Sequence, residues 1–213
     1  MKIVLCGPSG SGKTTLAKAI AKELGFNFQE NSAGLILDKD VKEGFVRDHG
    51  YAGIAGQRDV INLSHSRPSF GLEFQQQIMK ARHKLAKQEG DWVYDRSSID
   101  PLAYFLNQCV HNHSEDECQK MIANARLGMQ GIDIVIRVPL QNPEKTIEDD
   151  GSRVANYYFQ RKMDWLFDLA LNFMAEPNVK RPYRLWTVPT WNWDQRLEWS
   201  VRTIKQYIKD PSL

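Results

Sequence analysis

Short apolar runs and longer amphipathic segments alternate along the chain. Aliphatic and β-branched residues fill positions 2–6 and 132–138, which predicts buried strands, and shorter runs of the same kind predict three more. Between them, apolar residues recur every three or four positions, which predicts helices with one buried face. The predicted strands are 2–6, 26–28, 92–94, 132–138 and 185–188. Three predicted helices span 14–24, 69–87 and 154–173. Three more are predicted from their first residues: one capped by Asp100 and followed by Pro101, one that begins with a capping box at 114–117, and a last one capped by Asp194.

This order of elements predicts the fold. Strands that alternate with helices form parallel sheets with helices on both faces. We therefore expect one doubly wound α/β domain over residues 1–213, with a five-stranded parallel sheet. Residues 31–68 interrupt the pattern, because they hold five glycines and no long apolar period. Such a segment is either a surface insertion or a substrate-binding flap, and the chemistry described below favours the flap.

Composition narrows the class of protein only a little. Hydrophobic residues make up 42% and charged residues 25% of the 213 residues, as in ordinary globular proteins. The formal charge of +2, from 28 basic and 26 acidic residues, does not argue for a nucleic-acid partner and leaves one open. The chain shows no apolar run of the roughly 20 residues that a membrane span needs, and no signal peptide. We therefore expect a cytoplasmic protein; a homodimer is left open.

The first predicted strand runs directly into a phosphate-binding loop. The loop matches G-x-x-x-x-G-K-[ST], and a helix follows it at once, which is the context that this motif requires. Glycines let backbone N–H groups surround an anion, and the helix N-terminus adds partial positive charge. The residues assigned to ATP are Gly7, Pro8, Ser9, Gly10, Ser11, Gly12, Lys13, Thr14 and Thr15. Lys13 is expected to face an open loop and reach the β- and γ-phosphates, and Thr14 to bind Mg²⁺.

The rest of the chain separates kinases from other proteins with this loop. Switch-type GTPases carry an additional N-K-x-D base-reading motif, and no Asn-Lys pair occurs in this sequence. ATPases that translocate along a substrate are usually larger. A chain of 213 residues with a phosphate loop is therefore predicted to be a small-molecule kinase with the P-loop kinase fold.

A second chemical pair lies at the end of the third predicted strand. Asp95 and Arg96 follow the apolar run directly, and a helix begins a few residues later. Because ligands of parallel sheets bind beyond the carboxyl ends of the strands, this pair is expected beside the phosphate loop. The carboxylate suits Mg²⁺ binding or proton acceptance, and the guanidinium suits phosphate oxygens. A buried structural ion pair is the alternative.

Three segments resemble known kinases. Asp95-Arg96-Ser97, followed by Ala103-Tyr104, resembles the Asp-Arg…Ala-Tyr segment of thymidylate kinases and, more loosely, the Glu-Arg-Ser of deoxynucleoside kinases. Residues 149–153, Asp-Asp-Gly-Ser-Arg, are similar to the Asp-Gly-x-Arg segment of nicotinamide riboside kinase-like proteins. Over most of its length the chain resembles small bacteriophage nucleotide kinases. The resemblance implies phosphoryl transfer from ATP·Mg²⁺ to a nucleotide, within deoxynucleotide metabolism.

Residues 145–165 are predicted to form a helical lid. A kinase must exclude water from the transferring phosphoryl group and neutralise its charge. If the helix has begun by Arg153, then Arg153, Tyr157 and Arg161 share one face. Two arginines on that face suit a catalytic role above the phosphates. The alternative is a solvated cationic face.

Other polar residues are candidates for the acceptor and for adenine. Arg67 and Gln76 are assigned to the substrate together with Arg96, and Arg47 and Arg58 are further cations of the flap. Near the last strand, Trp191 or Trp193 is placed to pack on adenine, and Arg196 to stack there. A cysteine and histidine cluster between Cys109 and Cys118 has zinc-like spacing, but helix packing of both cysteines explains it better.

Three acceptors remain compatible with these residues. The one we expect is a (deoxy)nucleoside monophosphate, because the chain carries more cations than ATP alone requires. The alternatives are the hydroxyl of a nucleoside or of a nicotinamide riboside-type compound, and a hydroxymethylated base in DNA. An ATP-binding regulatory module is the alternative that is not an enzyme.

Overall fold

The computed structural model describes residues 1–30, 66–85, 87–108, 110–140, 156–175, 181–189 and 192–212. The described strands are β1 (Lys2–Cys6), β2 (Asn27–Glu30), β3 (Trp92–Asp95), β4 (Ile134–Arg137) and β5 (Arg184–Thr187). The described α-helices are α1 (Lys13–Leu24), α2 (Pro68–Leu85), α3 (Ile99–Gln108), α4 (Glu115–Gly128), α5 (Tyr157–Phe173) and α6 (Trp193–Lys209). A short 3₁₀ turn spans Val110–Asn112.

The five strands form one parallel sheet in the order β2-β3-β1-β4-β5. β1 is central, with Val4 between Tyr94 of β3 and Val135 of β4. The predicted doubly wound α/β fold with a five-stranded parallel sheet is therefore confirmed. Because all strands run the same way, Cys6, Asp95 and Arg137 come to one edge of the sheet.

Each face of the sheet packs against its own set of helices. Alternate residues of β1 explain this, because Val4 and Cys6 point into one core and Ile3 and Leu5 into the other. The first core contains residues of α2, α3, α4 and α5, and the second contains residues of α1 and α6. The short continuous apolar runs of the sequence thus belong to strands buried on both faces.

Local signals set several helix ends as expected. Gly25 ends α1 in the left-handed conformation, with φ 70°. The capping box at the start of α4 is present, since the Ser114 hydroxyl accepts from the Glu117 N–H and the Glu117 carboxylate accepts from the Ser114 N–H.

Two predicted caps are wrong. Asp100 lies inside α3, whose first turn is closed by Ser97: the Ser97 hydroxyl accepts from the Ile99 N–H at 3.2 Å, and the Asp100 carboxylate accepts from the Ser97 N–H at 2.8 Å. The cap of α6 is Asn192, whose side-chain oxygen accepts from the Asp194 N–H at 3.0 Å. In both cases the side chain that accepts from a free N–H of the first turn lies two or three residues before the predicted cap.

Several predictions fall on residues outside the described part of the chain. These are most of the flap (31–65), with Arg47 and Arg58, and residues 145–155 of the lid, with Arg153; Cys109 and Trp191 also lie outside it. The helix predicted for the lid corresponds to α5, which begins at Tyr157 with Asn156 as its N-cap. Within the described residues, no helix is long and apolar enough to cross a bilayer.

Candidate active site

The phosphate loop joins the end of β1 to the start of α1. Gly7, Gly10 and Gly12 have φ angles of 149°, 80° and 85°. A Cβ at Gly7 would lie 2.2 Å from the Val138 carbonyl oxygen, so only glycine fits this position. Gly12 caps α1 without any side-chain hydrogen bond to the helix end. The first N–H groups of α1 therefore have no side-chain cap, which is the arrangement that binds phosphate.

Lys13 folds back onto the loop that carries it. Its side chain is buried, and Nζ donates to the Pro8 carbonyl oxygen at 2.6 Å and approaches Ser11 Oγ at 3.5 Å. The expectation that Lys13 faces an open loop is therefore wrong. Burial, and after it the positive charge of Arg96, lower the pKa of Lys13 to about 8, against the opposing charges of Asp100 and Asp95. The amine is thus buried within the loop itself, where the Pro8 carbonyl accepts its hydrogen bond.

Arg196 supports the phosphate loop from α6. Its guanidinium is 1% exposed and donates to the Ser11 carbonyl at 3.2 Å and to the Pro139 carbonyl at 3.4 Å. The Trp193 ring packs beside Gly12, 3.9 Å from where a Cβ would stand. These contacts act on the backbone of the loop, while stacking of Arg196 on adenine stays a prediction.

A hydrogen bond joins Thr14, in the first turn of α1, to Asp95 at the end of β3. The Thr14 hydroxyl donates to Asp95 Oδ2 at 2.5 Å. Asp95 is 1% exposed, and its second oxygen, Oδ1, is buried and makes no hydrogen bond within the described part of the chain. A carboxylate with one oxygen that makes no hydrogen bond, beside a hydroxyl, fits Mg²⁺, which prefers few protein oxygens together with phosphate and water. The residues present therefore fit the predicted metal.

Arg96 adopts a conformation that arginine rarely takes. Its φ is 97°, and it is the one residue other than glycine with positive φ among those described. Its N–H donates to the Leu5 carbonyl at 3.0 Å, and its Nη1 lies 3.9 Å from Asp100 Oδ1. Burial opposes its charge, but Tyr104, Asp100 and Asp95 together raise the pKa of Arg96 above its ordinary value. The turn after β3 thus places a charged guanidinium beside Asp100 of α3.

Two buried polar residues of α2 are not among the assigned site residues: Arg82 was missed, and Gln75 was considered beside Gln76 but not chosen. Arg82 is 6% exposed, its Nη1 donates to the Ser97 carbonyl at 2.7 Å, and burial lowers its pKa to about 10. Gln75 Nε2 donates to Gln108 Oε1 at 3.2 Å, whereas the predicted Gln76 is only half-buried. The available signal was their register, because both lie close to the apolar stripe of Phe74 and Ile78.

The remaining predicted arginines that the structure describes, Arg161 and Arg67, make their described contacts with neighbours on their own helices and not directly with the phosphate loop, Asp95 or Arg96. Arg161 of α5 is about one-third exposed; its Nε donates to the Tyr157 hydroxyl at 3.2 Å and its guanidinium lies 5.8 Å from the Tyr157 ring centre. Arg67 is exposed, and its carbonyl accepts from the Phe70 N–H at 3.0 Å at the start of α2. Their functional roles stay predictions.

Comparisons with known proteins identify the family and the fold. Residues 2–196 match the family model described as AAA domain. The deoxyadenosine kinase of M. mycoides with bound dCTP is similar at a TM-score of 0.61 and 14% identity, over 97% of this chain and 100% of that one. The same enzyme with bound dATP gives 0.58 and 16% identity, over 96% and 99%.

A third solved structure, the Bacillus subtilis YorR protein in complex with phosphorylated GDP, gives a TM-score of 0.53 and 13% identity, over 98% of both chains. At such identities the likeness concerns the fold alone. The predicted P-loop kinase fold is confirmed.

Proposed function

The chain belongs to the AAA domain family and has the fold of P-loop kinases, and on that premise we propose that it transfers the γ-phosphoryl group of ATP·Mg²⁺ to a (deoxy)nucleoside monophosphate. The products are ADP and the diphosphate. One observation carries the proposal: the hydrogen bond from the Thr14 hydroxyl to Asp95 Oδ2 joins the phosphate loop to the end of β3, and the hydrogen bond from the Arg96 N–H to the Leu5 carbonyl holds the next turn beside β1. The loop that carries Lys13 and the turn that carries Arg96 therefore lie side by side, and a kinase of monophosphates must hold two anions together.

Each described residue then has a definite task. The loop N–H groups and Lys13 hold the β- and γ-phosphates, and Arg196 keeps the loop in shape through the Ser11 carbonyl. Thr14 and Asp95 would hold Mg²⁺, which neutralises charge on the phosphate oxygens. Arg96 binds the acceptor phosphate, and Arg161, from the lid helix, meets the charge that develops during transfer.

The protonation chemistry favours a monophosphate acceptor. Its phosphate oxygen is already mostly ionised at pH 7, so it attacks without a strong base and needs positioning above all. The cations on this edge meet that need. A nucleoside is the second candidate. Asp95 Oδ1, which makes no hydrogen bond among the described residues, is also suited to accept a proton from a sugar hydroxyl.

A panel of acceptors tests the proposal. The purified protein is incubated with ATP, Mg²⁺ and, separately, each (deoxy)nucleoside, each monophosphate, nicotinamide riboside and duplex DNA containing a hydroxymethylated base, and ADP release is measured. We expect turnover of at least one monophosphate. If only nucleosides are turned over, the monophosphate proposal is replaced by the nucleoside kinase. If nucleotide binds and no acceptor is turned over, a regulatory module is favoured.

Asp95→Asn separates the two candidates further. With a monophosphate, the variant should lose activity mainly through weaker Mg²⁺ binding, so that high Mg²⁺ restores part of the rate. With a nucleoside, loss of the proton acceptor should lower kcat at every Mg²⁺ concentration.

A further inference from the structure

Asp164 of α5 contacts two arginines with different surroundings. Its Oδ1 accepts from Arg137 Nη2 at 2.6 Å and from the Leu140 N–H at 3.3 Å. Its Oδ2 lies 3.9 Å from Nη1 of Arg161, one turn earlier on the same helix. The Asp164 side chain is only 10% exposed, so these charges interact in a poorly solvated place.

Arg137 connects this carboxylate to the phosphate loop. It ends β4, is 2% exposed, and donates from Nη1 to the Val138 carbonyl at 2.9 Å. That carbonyl is the one that leaves no room for a Cβ at Gly7, and Nη1 itself would lie 3.2 Å from such a Cβ. A continuous set of contacts therefore runs from Arg161 through Asp164 and Arg137 to the first residue of the loop.

We infer that Asp164 is a positioning residue, which sets the place of the Arg161 guanidinium relative to the phosphate loop by joining it to Arg137. The inference rests on the proposed function, in which Arg161 meets the transferring phosphoryl group. An arginine side chain has several rotatable bonds, and a fixed partner reduces the conformational freedom that it loses when it binds phosphate. Positioning of this kind acts on the transition state more than on substrate binding.

The same helix offers a matched control. Asp168 also pairs with Arg137, accepting from Nε at 2.9 Å, but its side chain is 60% exposed. Its described contacts reach Arg137 and not Arg161. A substitution there removes a carboxylate from Arg137 and leaves the carboxylate beside Arg161 in place.

The test compares Asp164→Asn with Asp168→Asn. Asparagine keeps an oxygen for the Leu140 N–H and for Arg137 but loses the charge that faces Arg161. We expect Asp164→Asn to lower kcat about tenfold with less than about a threefold change in the KM for ATP, and Asp168→Asn to change kcat less than about twofold. If Asp164→Asn does not fold, Asp164→Ser replaces it, because serine removes the charge with a smaller polar side chain. Equal losses in the Asp164 and Asp168 variants would overturn the inference.

A double variant separates positioning from a general effect on structure. In an Arg161→Ala background, Asp164→Asn should change kcat less than about twofold, because the residue that it positions is already gone. Losses that simply multiply in the double variant would show that Asp164 acts without Arg161.

A binding measurement keeps this test independent of the acceptor. Calorimetry with Mg²⁺ gives the affinities for ADP and for a non-hydrolysable ATP analogue. The wild type should prefer the analogue, Asp164→Asn and Arg161→Ala should both reduce that preference, and Asp168→Asn should keep it. If these binding preferences are found but no acceptor is turned over, the proposed function is refuted and the positioning role of Asp164 stands. A wild type without the preference, or an Asp164→Asn variant that keeps it, would overturn the positioning role.

Discussion

The ends of β1 and β3 lie side by side, and both turn through positive φ, yet they are built differently. After β1, the backbone turns at Gly7, Gly10 and Gly12 and presents N–H groups. After β3, it turns at Arg96, with φ 97°, and presents side chains. The first turn is a local property of its residues, whereas the second depends on contacts with the rest of the protein.

The difference follows from what each conformation costs. Glycine takes positive φ without steric penalty, so the phosphate loop needs no contact to enforce its backbone angles. For arginine the same region costs about 1–3 kcal/mol, and it persists only where surrounding contacts enforce it. The Leu5 carbonyl and the Asp100 carboxylate supply such contacts. Backbone strain of this kind is common at functional sites, in agreement with the role proposed for Arg96.

The largest effect is expected at Lys13, in the turn after β1. Lys13→Ala should lower the rate on the order of 10³-fold, because the contact with the β- and γ-phosphates is lost in the transition state. The fold should remain, because burial of the charged amine destabilises the folded state and alanine removes that cost. Lys18→Ala is the control, because Lys18 lies on the same helix with its side chain 56% exposed. A Lys13→Ala enzyme as fast as Lys18→Ala would remove the loop from the proposed chemistry.

The glycine turn itself is tested by Gly7→Ala against Gly25→Ala. Both positions have positive φ, but a Cβ at Gly7 would meet the Val138 oxygen at 2.2 Å, and one at Gly25 would meet no atom within 4 Å. We expect Gly7→Ala to lower the free energy of unfolding by about 3 kcal/mol and Gly25→Ala by about 1 kcal/mol. Denaturant unfolding measures both values. Equal losses would mean that backbone conformation alone, and not the close approach of β4, demands glycine.

The smallest effect concerns the strained turn after β3. Arg96→Gly and Arg96→Ala both remove the guanidinium, so both should raise the KM for the monophosphate about 10- to 100-fold while changing the KM for ATP little. They should differ in stability, because glycine relieves the positive φ and alanine keeps it. We expect the glycine variant to be more stable by about 1 kcal/mol. Arg184→Ala, at the opposite edge of the sheet, serves as the control for the loss of an arginine.

Fold class, strand number and the phosphate loop were open to prediction because their signals are local. The run from Ile134 to Ile136 is apolar because the strand is buried on both faces, and the glycines of the phosphate loop set its turn locally. Helix ends were predicted less well. Asp100 and Asp194 both look like caps, but Ser97 and Asn192 accept from the free N–H groups instead. Which residue does so depends on where the helix begins after the preceding strand and loop.

By itself, the sequence determined the parallel α/β fold, the anion-binding loop and the acid–arginine pair at the end of β3. Only the tertiary structure decided how these parts meet. It placed the Thr14 hydroxyl on Asp95, turned Lys13 back onto Pro8, and buried Arg82, Arg137 and Arg196 behind the site. The physical reason is that the charge of an arginine looks the same in any sequence, while its effect depends on burial and on partners that lie far away along the chain, such as Ser11 for Arg196.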